Sequence, residues 1–244
     1  MKKAISLLLA LAITVGLTAC GSKPAETPDT SDTPPVESSS QQPEEQTPSE
    51  NQEPAEITES GKSLVVYFSM PETTDPNNMT QEEDNSVVVI DGEVLGNTQY
   101  VAYVIQENTG ADIFRIEPET PYPTDHDTLV DLAAEEQEKD ARPAIKGSIE
   151  DLEQYDTIFV GYPIWWSDLP MILYSFFDGY EFSGKTIVPF STHGGSGLAG
   201  TIATIKELQP EANVLEDGFT VSRNNVQEAE PDIISWLKDL GYAK

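Results

Sequence analysis

The chain has 244 residues, with 13 Lys and Arg against 43 Asp and Glu and a formal net charge of -30. So acidic a chain lacks the clustered cations that nucleic-acid binding requires. Its single cysteine excludes an internal disulfide, a redox Cys pair and a Cys-based zinc site. Two histidines, His126 and His193, are too few for a multi-His metal cage. The 38% of hydrophobic residues still suffices for a packed core.

Residues 1–20 read as an address. Met1-Lys2-Lys3 is a basic start, and Ala4 to Leu17 is an apolar run of signal-peptide length. It falls short of the about 20 apolar residues that a spanning helix needs. The run ends in Leu17-Thr18-Ala19-Cys20, which resembles the bacterial lipobox. That resemblance implies a lipoprotein signal peptide, acylation of Cys20 and a mature chain anchored on the extracytoplasmic face of a bacterial membrane. Each buried CH2 of an acyl chain is worth about 0.8 kcal/mol, so several chains on one residue anchor stably. The alternative is an ordinary secretory peptide with a stray cysteine.

Residues 21–60 carry seven prolines, ten acidic residues and one basic residue, Lys23, among Ser, Thr and Gln. Such a segment has too little apolar surface to offset its chain entropy, so a disordered linker is expected. Its charge and prolines extend it away from anionic lipid.

Residues 61–244 carry the folded part. Short β-rich apolar runs occur at Ser63–Phe68, Ala111–Ile116, Thr157–Tyr162, Thr186–Phe190 and Asn213–Val221. Helical stretches lie between and after them at Thr98–Glu107, Thr128–Lys139, Pro170–Phe177, Leu198–Leu208 and Val226–Leu240. Strands alternating with helices predict an α/β fold with a doubly wound, five-stranded parallel sheet. Ligands of such sheets bind outside the carboxyl ends of the strands. Three loops are therefore the candidates, those after Phe68, Tyr162 and Ser191.

The first loop starts at Ser69 and departs on a 26-residue excursion, Met70 to Leu95, before Gly96-Asn97-Thr98 opens a helix. The excursion predicts a small hairpin, Val87–Ile90 turning at Asp91-Gly92. A hydroxyl at a strand end beside Gly-Asn-Thr at a helix start makes an anion site without lysine. Asn97 and Thr98 as plain helix caps is the equal alternative. The second loop holds Pro163-Ile164-Trp165-Trp166. Core packing accounts for one of these tryptophans, and the other offers a flat surface to a ligand or partner. The third loop, Thr192-His193-Gly194-Gly195-Ser196-Gly197, lets backbone approach a planar polar ligand. Two misreadings sit there. Gly195 to Gly200 fits G-x-G-x-x-G with Glu216 downstream, but follows the fourth strand rather than the first. Ser196 lacks the glycine of a nucleophile elbow, since Leu198 stands in its place. His193 reads as a loop residue near the ligand rather than a catalytic base, and no catalytic or metal-ligating residue is assigned.

Together the three loops resemble those of flavodoxins and flavodoxin-like FMN proteins, over residues 63 to 240. The resemblance implies sheet order 2-1-3-4-5 with an insertion after the first strand, and FMN as cofactor. In that family the first loop, hydroxyl-x-T-G-N-T, holds the FMN phosphate; here Ser69 and Gly96-Asn97-Thr98 are the matching residues. The second and third loops flank the flavin ring; here these are Pro163, Ile164, Trp165 and Trp166, then Thr192, His193, Gly194, Gly195, Ser196 and Gly197. The acidic chain suits phosphate neutralisation by N–H dipoles, and its field disfavours an anionic reduced flavin. Two functions follow from this. One is an electron carrier or an FMN-dependent reductase of quinone-like acceptors, with an unidentified redox partner. The other is a cofactor-free, lipid-anchored binding module on the same scaffold.

Overall fold

Successive side chains of a strand point to opposite faces, and the first strand already shows two cores. Leu64, Val66 and Phe68 enter one buried cluster, while Val65 and Tyr67 enter the other. The computed structural model describes residues 61–243; the expected signal peptide, Cys20 and the linker at 21–60 lie outside the described residues. No helix among the described residues is long and apolar enough to cross a membrane.

The first half of the chain forms β1 (Lys62–Tyr67), α1 (Gln81–Ser86), β2 (Val87–Ile90), β3 (Glu93–Gly96), α2 (Asn97–Thr109), β4 (Asp112–Arg115), β5 (Glu117–Pro118) and α3 (His126–Glu138). The second half forms β6 (Ile145–Lys146), β7 (Tyr155–Pro163), α4 (Met171–Gly179), β8 (Thr186–His193), α5 (Thr201–Leu208), β9 (Asn213–Val214), β10 (Phe219–Ser222) and α6 (Glu230–Asp239). The main sheet runs β4-β1-β7-β8-β10, and every pairing in it is parallel. Counted along the chain, the order is 2-1-3-4-5, as the sequence implies.

One core cluster joins the sheet to α3, α4 and α5 through Leu129, Ile172, Phe176 and Ile205. The other joins it to α2 and α6 through Val101, Ile105, Ile233 and Leu237. Gly161 of β7 pairs with Phe190 of β8, and a Cβ at Gly161 would lie 2.1 Å from the Phe190 ring. Glycine there is a packing requirement.

Three expected elements differ in detail. The fifth strand is split: β9 pairs with Thr186 and Ile187 at the start of β8, and β10 with Phe190 to His193 at its end. Pro189, which has no N–H to donate, sits in the gap between these ladders. The last helix is preceded by a separate 3-10 turn, Val226–Glu228, and α6 carries Pro231 in its first turn, where proline is tolerated. Helix α5 starts at Thr201, because Gly195, Gly197 and Ala199 upstream take positive φ.

The insertion contains the expected hairpin, with Asp91 and Gly92 both at positive φ, as a type I′ turn needs. It also contains a helix the sequence reading omitted. Thr80 caps α1 by accepting from Glu83 N–H, and the Glu83 side chain accepts from Thr80 N–H, closing a capping box. The hairpin buries Val87 and Val88, and Val88 joins the core cluster on the α2 side of the sheet.

Candidate functional site

The carboxyl ends of β1, β7, β8 and β10 meet the N-termini of α2 and α3 at one cleft of about 320 Å³. Ten of the expected residues behave as one group there: Ser69, Asn97, Thr98, Pro163, Ile164, Trp165, Trp166, Thr192, His193 and Gly194 all line it. Gly96, Gly195, Ser196 and Gly197 do not. Gly96 instead packs behind the site, where a Cβ would lie 2.2 Å from Ser69 Oγ. Gly195 and Gly197, at φ 140° and 61°, serve the turn that returns the chain to α5. Glu216 pairs with Lys206, which removes the acidic residue of the dinucleotide misreading.

The first wall is the start of α2. Gly96 is its N-cap and offers no side chain, so other groups satisfy the early donors. Ser69 Oγ accepts from Gln99 N–H at 3.3 Å, and Gln99 Oε1 accepts from Gly96 N–H at 3.2 Å. The N–H groups of Asn97 and Thr98 have no intrahelical acceptor, and both residues line the cleft. Asn97 Nδ2 donates to the Asn85 carbonyl at 2.8 Å, while its Oδ1 is buried with no hydrogen-bond partner. Thr98 Oγ1 and Thr192 Oγ1 share a hydrogen bond of 2.8 Å, which ties the first loop to the third.

The second wall separates the two tryptophans. Trp165 packs edge-on against Phe68 and Tyr122, each at 5.4 Å between ring centroids. It is half-buried, packed against the core cluster. Trp166 is 56% exposed. It occupies a tight turn closed by mutual backbone bonds between Trp165 and Asp168, with Trp166 at φ 48° and Ser167 at φ 65°. Positive φ is strained for a bulky residue and recurs at functional sites. Asp168 holds the turn by accepting from Leu169 N–H and Tyr174 O–H, and Trp166 Nε1 donates to the Val130 carbonyl of α3.

The third wall ends in His193 and Arg223. Burial lowers the His193 pKa, and its Nδ1 accepts from Gly195 N–H at 2.8 Å, so the neutral ring is favoured. Arg223, one residue beyond β10, makes no salt bridge among the described residues. Its N–H bonds the His193 carbonyl, which places it beside the third loop.

Besides Arg223, the sequence reading missed two groups of lining residues. Met70, Glu72, Glu82, Asn85 and Ser86 come from the insertion, and His126, Leu129, Val130 and Ala133 from α3. The latter follow i, i+3, i+4, i+7 spacing, which places them on one helix face. Glu72 is buried, and its carboxylate accepts from His126 Nδ1 at 3.0 and 3.1 Å.

Residues 86–240 match the model of a family described as flavodoxin. A candidate flavoprotein from Bacteroides eggerthii DSM 20697 is 30% identical, with a TM-score of 0.55 over 73% of this chain and 97% of that one. A second, from Bacteroides uniformis ATCC 8492, is 26% identical with a TM-score of 0.52, over 69% and 97%. A flavoprotein in complex with FMN from Lactobacillus acidophilus NCFM is 19% identical with a TM-score of 0.48, over 69% and 97%. No curated protein matches the chain. The sheet order, the cleft at its carboxyl edge and a match over most of the folded part lead to one conclusion: the chain belongs to the flavodoxin family.

Proposed function

We propose that this protein is a flavodoxin-like redox protein that binds FMN in the cleft, stands on the outer face of a bacterial membrane through lipidated Cys20, and carries electrons or reduces quinone-like acceptors. Membership of the flavodoxin family supplies the cofactor. Bound FMN supplies reversible uptake of one or two electrons.

The donor set suits that group. Hydroxyls of Ser69 and Thr98 and the unpaired N–H groups at the start of α2 fit a phosphate without a lysine. The buried, unpartnered Asn97 Oδ1 calls for a ligand donor such as a ribityl hydroxyl. Glu72 and Glu82 line the same cleft and oppose an anion, but the carboxylate of Glu72 is already engaged by His126 Nδ1. Trp166 provides the exposed aromatic face for the ring.

The observation that carries the reading is the convergence of three loops, far apart in sequence, on one cleft with hydroxyl donors at one part and an exposed tryptophan at another. Its test is a titration of apoprotein with FMN, read as loss of flavin fluorescence. Saturation below tens of micromolar is expected; no binding there would leave the cofactor-free module as the better account. Anchoring rests on Leu17-Thr18-Ala19-Cys20, and a Cys20→Ser protein that stays with membranes as strongly as wild type would remove it.

A further inference from the structure

The insertion brings one group to the cleft that the flavin-binding role leaves unused. Glu72, near its start, is buried, and its backbone N–H donates to Ser86 Oγ at the end of α1. Ser86 Oγ donates in turn to the Glu83 carbonyl. Helix α1 thus fixes Glu72, and both oxygens of Glu72 face Nδ1 of His126 on α3. His126 lies one turn before Val130, whose carbonyl holds Trp166, and both line the cleft. Its Nε2 makes no hydrogen bond among the described residues, and its side chain is 41% exposed.

We infer that Glu72 and His126 form a proton-donating pair, in which His126 Nε2 donates to a carbonyl oxygen of a quinone-like acceptor bound in the cleft and Glu72 positions the ring. This inference rests on the cleft being an FMN redox site. A quinone becomes a hydroquinone by gaining two electrons and two protons. Reduced FMN held in the cleft would supply one carbonyl oxygen with the electron pair and one hydrogen, as a hydride, and would itself be oxidised. The other oxygen takes a proton from His126 Nε2, and the N–H bonding pair stays with the imidazole. His126 is left neutral with its proton on Nδ1, the tautomer that Glu72 accepts from, and regains the Nε2 proton from solvent. Both protonation states therefore keep the Nδ1–H···Glu72 bond. The other ionisable groups on the cleft wall are Glu82, His193 and Arg223, with Asp125 and Asp127 beside His126 on its own helix.

The test uses FMN-loaded protein reduced anaerobically and then mixed with 1,4-naphthoquinone or with ferricyanide, which takes an electron without a proton. In His126→Gln the ratio of the naphthoquinone rate to the ferricyanide rate should fall at least tenfold, on the low side of general acid effects of about 10²–10⁴. The wild-type naphthoquinone rate should decline as pH rises, and this dependence should be lost in His126→Gln. An unchanged ratio overturns the inference. Nitrogen-15 spectra of wild-type FMN-loaded protein supply a readout independent of turnover and of any variant's folding. Neutral His126 should carry its proton on Nδ1, and Glu72→Gln should weaken that preference; a wild-type Nε2–H tautomer overturns the pairing. If wild type takes up no FMN, the cofactor reading fails first and the inference falls with it.

Discussion

Thr98 Oγ1 and Thr192 Oγ1, 94 residues apart in sequence, share a buried hydrogen bond of 2.8 Å in the wall of the cleft. One hydroxyl spends its hydrogen on the other, which keeps its own free to donate elsewhere. The pair therefore both locks the first loop to the third and leaves one donor beside the start of α2.

The first prediction concerns this pair. Thr98→Ala removes a donor to a charged phosphate and should weaken FMN binding by about 1.5–3 kcal/mol. Thr192→Ala should weaken it too, and the two changes should not add, since each breaks the shared bond. Calorimetric titration of both single variants and the double variant measures the coupling, expected at about 0.5–3 kcal/mol. Strict additivity would mean the pair does not act as a unit.

The two tryptophans should part company on mutation. Trp165 fills space between Phe68 and Tyr122, so Trp165→Ala leaves a cavity and should lower folding stability by about 2–4 kcal/mol, a little under the loss for a fully buried tryptophan. Trp166 is exposed, so Trp166→Ala should leave folding stability nearly unchanged and weaken FMN by about 1–3 kcal/mol, taking base stacking on aromatic side chains as the analogue. Trp166→Gly should weaken FMN equally yet fold more stably than the alanine variant, because glycine adopts positive φ without strain. Urea unfolding beside FMN titration separates these effects. A Trp166→Ala protein with wild-type affinity would show that Trp166 does not bear the flavin.

Much of this was legible in the sequence. Apolar strand runs and amphipathic helices gave the doubly wound sheet, because burial on both faces leaves a continuous hydrophobic signature in Val65-Val66-Tyr67-Phe68 and Ile158-Phe159-Val160. The Asp91-Gly92 turn betrayed the hairpin. The insertion's helix was also written, in Thr80 and Glu83, but its six residues are polar and carry no apolar stripe. What could not be read was contact across the cleft. Nothing in the spacing of Glu72 and His126, 54 residues apart, says that they touch. Nor could composition separate Trp165 from Trp166, since neighbouring residues of one turn receive opposite environments only once Asp168 closes it. Arg223 was accessible to a stricter use of the strand-end rule, because it follows the last strand directly.

Gly96 should tolerate no side chain. A Cβ there would meet Ser69 Oγ at 2.2 Å and Pro71 Cδ at 3.2 Å. Ser69 would have to leave Gln99 N–H, which it now serves in place of a capping side chain. Gly96→Ala should therefore lower stability by about 0.5–2 kcal/mol, the range for a lost helix cap. FMN affinity should fall as well, because Ser69 moves. Ser69→Ala is the control: its FMN loss should not be deepened by adding Gly96→Ala, since the displaced hydroxyl is already gone. If Gly96→Ala binds FMN like wild type, Ser69 is not a phosphate ligand.

The last prediction is a pH dependence at His193. Burial holds its folded pKa below the ordinary histidine value of about 6.5, and Gly195 N–H donates to the Nδ1 that would have to accept the proton. The unfolded chain therefore binds a proton that the folded chain resists. The neutral ring's contribution to stability is complete above about pH 6.5 and declines as pH falls from there towards the lower folded pKa. A glutamine at this position does not titrate, so the stability of wild type relative to His193→Gln should shrink between pH 7.5 and pH 5. Urea unfolding of both proteins across that range gives the difference directly. A gap that stays constant, or that widens on acidification, would show that His193 does not resist protonation in the folded protein.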